Sequence, residues 1–199
     1  DSAGNTSLQI MNGDANHQVT VSGDFNLDSQ DAHNNMTTVL GHNTILNIGG
    51  DINIHSISGG VNKVYIGDHM YGPPTSITAK HITMSGLGDN EIIFNNGKDA
   101  DKPGTPGYLF SLPIEGDGRV IQQSGHTTLS SAGNTYYQGT TIQGGLLSVT
   151  DDRALGAGDV DITTDGTDAG ITQGLDINYT GDFTHLLTGT GWTTVSGDV

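Results

Sequence analysis

The chain has 199 residues, with 22 acidic side chains against 6 basic ones and a formal net charge of −16. Lys63, Lys80, Lys98, Lys102, Arg119 and Arg153 never cluster; this argues against a nucleic-acid partner, which needs a basic patch, and against adsorption to anionic membranes. With 31 glycines, no cysteine and 14% charged residues, the chain is neither a disulfide scaffold nor a charge-rich disordered segment.

Taken in chain order, the elements are short runs with period-two alternation, the pattern of half-buried strands. Residues 18–22 (QVTVS) alternate first. The Gly-free stretch 24–40 has no helical apolar stripe, and its polar middle, 29–35, reads as a loop. Strands follow at 51–57 (DINIHSI), 61–66 (VNKVYI) and 81–84 (HITM), with Pro73-Pro74 marking a loop between the last two. Pro103, Pro106 and Pro113 mark 95–118 as an excursion, with a hairpin expected at 108–112 (YLFSL). The last strands are expected at 146–149 (LLSV), 160–163 (VDIT) and 175–179 (LDINY). No run of 18 apolar residues and no signal segment is present, and both ends are expected to be cut from a longer protein.

Gly-Asp recurs nine times between Gly13 and Gly197, at uneven spacings that average roughly 23 residues, within the range of repeat architectures. Such a period points to a solenoid, because one coil of a parallel β-helix holds three short strands and three turns. The looseness of the period leaves a β-sandwich as the alternative. The expectation is an all-β solenoid filling 1–199 as one unit, with loop excursions.

The stretch 118–162 carries a denser pattern. Gly133, Asn134, Thr135, Tyr136, Gly139 and Thr141 are followed by Ile142, Gly144, Gly145 and Leu147, and then, after a polar break, by Ala154, Leu155, Gly156 and Gly158. This resembles the passenger-associated repeat of autotransporter (type V secretion) passengers of the AIDA and pertactin type. The resemblance implies a right-handed parallel β-helix exposed on a bacterial surface, with adhesion, self-association, biofilm formation or toxin presentation as its roles. It also implies that attachment to the outer membrane runs through a C-terminal barrel that this chain does not contain. Ile142, Leu147 and Val149 are expected to face inward, with Gly144-Gly145 turning a corner and Ala154-Leu155-Gly156 forming a compact bend.

Constellations that carry chemistry are sparse. No Gly-x-Ser-x-Gly elbow occurs, although a triad is defined by geometry rather than by order. Asp99 and Asp101, Asp151 and Asp152, and Asp159 and Asp161 are close pairs of the kind a glycosidase or lyase uses; Asp in turns explains them equally. The segments 86–89 and 156–159 echo a Gly-rich calcium repeat without its nine-residue period. His17, His33, His42, His55, His69, His81, His126 and His185 form no zinc motif. The intervals from His42 to His69 and from His55 to His81 suit stacking on adjacent coils; polar surface positions are the plainer reading. Asn34-Asn35 and Asn95-Asn96 suit coil corners, while Tyr136, Tyr137 and Trp192 read as core or stacking residues.

The sequence therefore predicts a non-catalytic passenger segment with no catalytic residue, no metal ligand, no cofactor and no assigned binding residue. Its expected partner is a host-cell receptor, a matrix protein or another copy of itself, met at the bacterial surface or outside the cell. The alternatives are a β-helix enzyme that degrades extracellular polysaccharide in a groove beside the 95–118 excursion, with Asp99 and Asp101 as its acids, and a toxin-type passenger.

Overall fold

A computed structural model describes residues 6–10, 17–30, 35–97, 107–164 and 173–197. In these residues the chain winds through three faces in turn. The first face is an eight-stranded parallel sheet of β1 (Thr6–Ile10), β4 (Asn35–Leu40), β7 (Val61–Ile66), β10 (Asp89–Asn95), β13 (Arg119–Ser124), β15 (Thr140–Ile142), β17 (Val160–Ile162) and β19 (Leu187–Gly189). The second is carried first by β2 (His17–Val21), β5 (Thr44–Ile48) and β8 (Ser76–Thr78). A separate sheet then continues that position with β11 (Tyr108–Phe110), β14 (His126–Leu129), β16 (Leu146–Val149), β18 (Gly174–Ile177) and β20 (Thr193–Val195). The third face holds β3 (Phe25–Ser29), β6 (Ile52–Ser56), β9 (Ile82–Gly86) and β12 (Ile114–Gly116). The chain is the all-β parallel solenoid that its sequence predicts.

Strand periodicity sorts each run into an inner and an outer row. In β7, Asn62, Val64 and Ile66 are buried while Val61, Lys63 and Tyr65 turn outward. Register then aligns equivalent residues of successive coils into columns. Leu40, Ile66, Phe94, Gln122, Ile142 and Ile162 form one interior column. Beside it run Thr38, Val64, Ile92, Val120, Thr140 and Val160. Phe94 also meets Phe110 of the second face edge-on, with ring centroids 5.0 Å apart. The core is one continuous rod of stacked aliphatic and aromatic side chains.

Polar residues in this rod tie one coil to the next. Asn90 Nδ2 donates to Ser85 O and Asp117 O, both at 3.0 Å, and its Oδ1 accepts from Ser56 Oγ at 2.8 Å. Asn96, from the expected corner doublet, donates to Thr127 Oγ1 at 2.7 Å. Asn134 accepts from Ile114 N at 2.9 Å and donates to Ala154 O at 2.7 Å, bridging three coils.

The residues of the 118–162 repeat take the positions expected of them. Ile142, Leu147, Val149 and Tyr136 are fully buried. Gly145 turns the corner at φ 68°, and a Cβ there would fall 2.2 Å from Gly125 O, so only glycine fits. Ala154 and Leu155 are buried within a 3-10 helix (Asp152–Leu155), capped by Asp151 and closed by Gly156. That helix and 133–137 stand where the third face has strands in earlier coils. Their backbone still stacks: Thr135 N donates to Ile114 O, and Ala157 N to Tyr136 O.

Two local expectations differ from the structure. No hairpin forms at 108–112: β11 pairs parallel with β14, and β12 pairs parallel with β9, so both runs belong to the coil. Residues 98–106 of the expected excursion lie outside the described residues. In the expected loop 29–35, Ser29 ends β3 and Asn35 begins β4; 31–34 lie outside the described residues.

Asn134→Ala leaves the buried Ile114 N–H and Ala154 C=O without partners. It is expected to cost about 2–4 kcal/mol in urea unfolding, since each orphaned buried group costs about 1–3 kcal/mol. A loss below about 0.5 kcal/mol, the size of an ordinary surface substitution, would show that the bridge is dispensable.

Candidate functional site

The most organised polar array lies on the outside of the first face. Ser7, Thr37, Lys63, Glu91 and Arg119 align in register across β1, β4, β7, β10 and β13. Lys63 Nζ lies 3.3 Å from Glu91 Oε2, Arg119 Nε 3.7 Å from Glu91 Oε1, and Arg119 Nη2 3.3 Å from Asp89 Oδ1. Glu91 is thereby held between two cations in neighbouring coils, with only 12% of its side chain exposed. A cleft of 480 Å³ opens over the first four rungs, lined by Ser7, Asn35, Thr37, Lys63, Asp89 and Glu91 among others. The sequence did carry a signal for this ladder: Lys63, Glu91 and Arg119 follow one another at equal intervals. Singly placed charges gave no reason to look for it.

A second array joins three chemically suggestive residues. His126 Nε2 lies 2.9 Å from Ser148 Oγ, which donates to Asp176 Oδ2 at 3.0 Å; Ser196 Oγ donates to Asp176 Oδ1 at 2.6 Å. In a hydrolytic triad the histidine stands between serine and acid, so that it can take the serine's proton. Here the serine stands in the middle and its hydroxyl proton goes to the acid. Ser148 is only 4% exposed. The arrangement fastens β14, β16, β18 and the residue after β20 together.

The third array surrounds Asp152. Its carboxylate accepts from Thr184 N at 3.0 Å, from the Thr184 hydroxyl and from Tyr179 Oη at 3.2 Å, with His185 Nε2 at 3.7 Å. Burial works to raise its pKa, but the Thr184 bonds, the His185 charge and the Tyr179 hydroxyl outweigh burial and hold it below the usual aspartate value. Burial, followed by the Asp152 charge, pushes the Tyr179 phenol up to about 12. His185 places Nδ1 2.9 Å from Gly158 O and Nε2 3.0 Å from Asp152 O.

The remaining sequence candidates fall into structural places. Asp99 and Asp101 lie outside the described residues, as does His33. Asp151 caps the 3-10 helix and pairs with Arg153 at 3.3 Å. Asp161 Oδ1 accepts from Thr188 Oγ1 at 3.0 Å, and the backbone oxygen of Asp159 accepts from Thr140 N. In the calcium-like echo 86–89, the Asp89 carboxylate faces Arg119. Among the described residues, no group of three or more His, Asp or Glu is placed to hold a metal.

The two histidine pairs do not stack on each other. His42 stacks on Tyr71 with centroids 4.7 Å apart, His55 Nδ1 meets Ser85 Oγ at 3.0 Å, and His81 lies 3.1 Å from Asp51 and 4.0 Å from Glu115. Tyr136 is core as expected, but Tyr137 and Trp192 are 57% and 67% exposed.

The fold and its outer arrays define a parallel β-solenoid with in-register polar ladders. No family model matches the chain, and no solved structure matches it. The uncharacterised lipoprotein YdeK of Escherichia coli (strain K12) is 32% identical over 165 residues. That alignment covers 74% of this chain, and the chain spans only 12% of the length of that relative.

Because its pKa is lowered in the fold, Asp152 stabilises the protein above the unfolded aspartate value of about 3.9, and that contribution is lost as pH falls through the folded value. Asp152→Asn is expected to cost about 1–2 kcal/mol at pH 7, the scale of a charge-assisted hydrogen-bond set. The gap should narrow as pH falls below the unfolded aspartate value and close below the folded one. An equal gap at pH 7 and pH 3 would assign the effect to packing rather than charge.

Proposed function

We propose that the chain is a non-catalytic, passenger-like segment of a bacterial cell-envelope protein, displayed on the cell surface, where it adheres to a host surface or to a neighbouring copy. The observation that carries this reading is the ladder of Ser7, Thr37, Lys63, Glu91 and Arg119, which sets hydrogen-bonding groups at a regular spacing along one outer face. Such a face gains affinity from many weak contacts made at once, as an adhesive rod requires. The autotransporter-like pattern at 118–162 supports surface display. The lipoprotein relative supports an envelope location.

A net charge of −16 sets a condition on self-association. Two acidic rods approach only when their charges are screened, and the screening length falls from about 30 Å at 0.01 M salt to about 8 Å at 0.15 M. Displayed on a non-aggregating bacterium, the chain is expected to cause settling, or retention on an epithelial monolayer. Settling should be faster at 0.15 M than at 0.01 M NaCl. Neither settling nor retention at either salt concentration would end the adhesive reading.

A further inference from the structure

The cleft on the first face supplies the chemistry of one ligand class. It runs across β1, β4, β7 and β10, so its groups repeat at the spacing between parallel strands, about 4.8 Å. That rung spacing is close to the length of one pyranose residue, and an extended saccharide laid along the solenoid axis meets one rung per sugar.

The lining is mixed in the way polyhydroxylated ligands require. Ser7 and Thr37 carry hydroxyls that donate and accept, the Asn35 amide does both, Lys63 donates, and Asp89 and Glu91 accept. A carboxylate with two oxygens takes paired hydrogen bonds from neighbouring hydroxyls of one sugar. Asp89 is the carboxylate open to such a ligand, with 56% of its side chain exposed, while Glu91 is held by Lys63 and Arg119.

Charge decides between saccharide types. At the cleft Lys63 pairs with Glu91 and Arg119 pairs with Asp89 and Glu91, so the field a ligand meets is that of the whole chain, of net charge −16. A uronic-acid or sulfated chain would enter against that field, whereas a neutral chain meets no such cost. We infer that the first-face cleft, built from Ser7, Asn35, Thr37, Lys63, Asp89 and Glu91, binds a neutral linear polysaccharide along the solenoid axis. This rests on the adhesive reading above and names its ligand class.

Native affinity electrophoresis of the full chain tests it, with dextran, pullulan, barley β-glucan or hyaluronan cast into the gel. At least one of the three neutral polysaccharides is expected to retard the chain and hyaluronan is not. Thr37→Trp, which fills the cleft from an outward strand position, should weaken the retardation at least tenfold. Lys63→Ala should weaken it about threefold. Thr83→Trp, outward on the third face, should leave it unchanged, and circular dichroism should show all three variants folded. The inference is overturned if no neutral polysaccharide retards the chain, if hyaluronan retards it equally, or if folded Thr37→Trp binds as the parent does. Cells that settle or adhere while the gel shows nothing would leave the adhesive reading standing and remove only its ligand. Retardation without any settling or adherence would do the reverse.

Discussion

Hydrogen bonding between strands one coil apart is the constraint from which the rest of this molecule follows. Each described strand pairs parallel with its equivalent in an adjacent coil, as β7 does with β4 on one side and β10 on the other. A short run satisfies its backbone only when the coils above and below hold the same register. Side chains therefore stack in columns whether they face in or out. An interior column must be apolar or must meet its own polar needs, which is why Asn90 and Asn134 each bond to neighbouring coils. An exterior column becomes a ladder, and chemistry that is weak in one residue is repeated along the rod.

The same constraint leaves the corners free to vary. Along the first face Asn35 meets Val61 and Val61 meets Asp89, whereas Val120 meets Thr140 and Thr140 meets Val160, so the coil shortens between β13 and β17 before Val160 meets Leu187 and it lengthens again. The third face keeps its strands only as far as β12, after which 133–137 and the 3-10 helix hold the position with isolated backbone bonds. The shorter coils are those of the passenger-like pattern, where Gly144-Gly145 and Ala154-Leu155-Gly156 turn the chain in little space. Polar clusters at these later coils, around Ser148 and around Asp152, fasten strands and turns to one another.

Strand positions were legible because alternation is a local property: 18–22, 51–57, 61–66 and 146–149 all lie on or within a residue of observed strands. The compact bend was legible because Ala-Leu-Gly needs a glycine where φ turns positive, as Gly156 does at 73°. Register was not legible, because it depends on the length of every intervening corner. The histidine intervals suggested stacking, but the coils there are longer than those intervals: Thr44 meets Thr75, and His55 meets Ser85 rather than His81. His42 accordingly reaches Tyr71 rather than His69. The 108–112 run looked like a hairpin because proline flanks it, yet its partner strand lies at His126–Leu129. The Lys63, Glu91 and Arg119 ladder went unseen for the same reason: three single charges become one array only when the coil offsets are known.

The stacking order can be read directly by electron–electron double resonance, since a chain without cysteine accepts two engineered labels cleanly. Val39 and Thr188 face outward in one column, six coil steps apart through Tyr65, Ile93, Ile121, Thr141 and Asp161. Labels at those two positions should show a narrow distance distribution centred at about 29 Å, six steps of about 4.8 Å. A broad distribution, or one centred beyond about 40 Å, would contradict the single in-register column, with its inter-strand spacing, on which the fold and its ladder both rest.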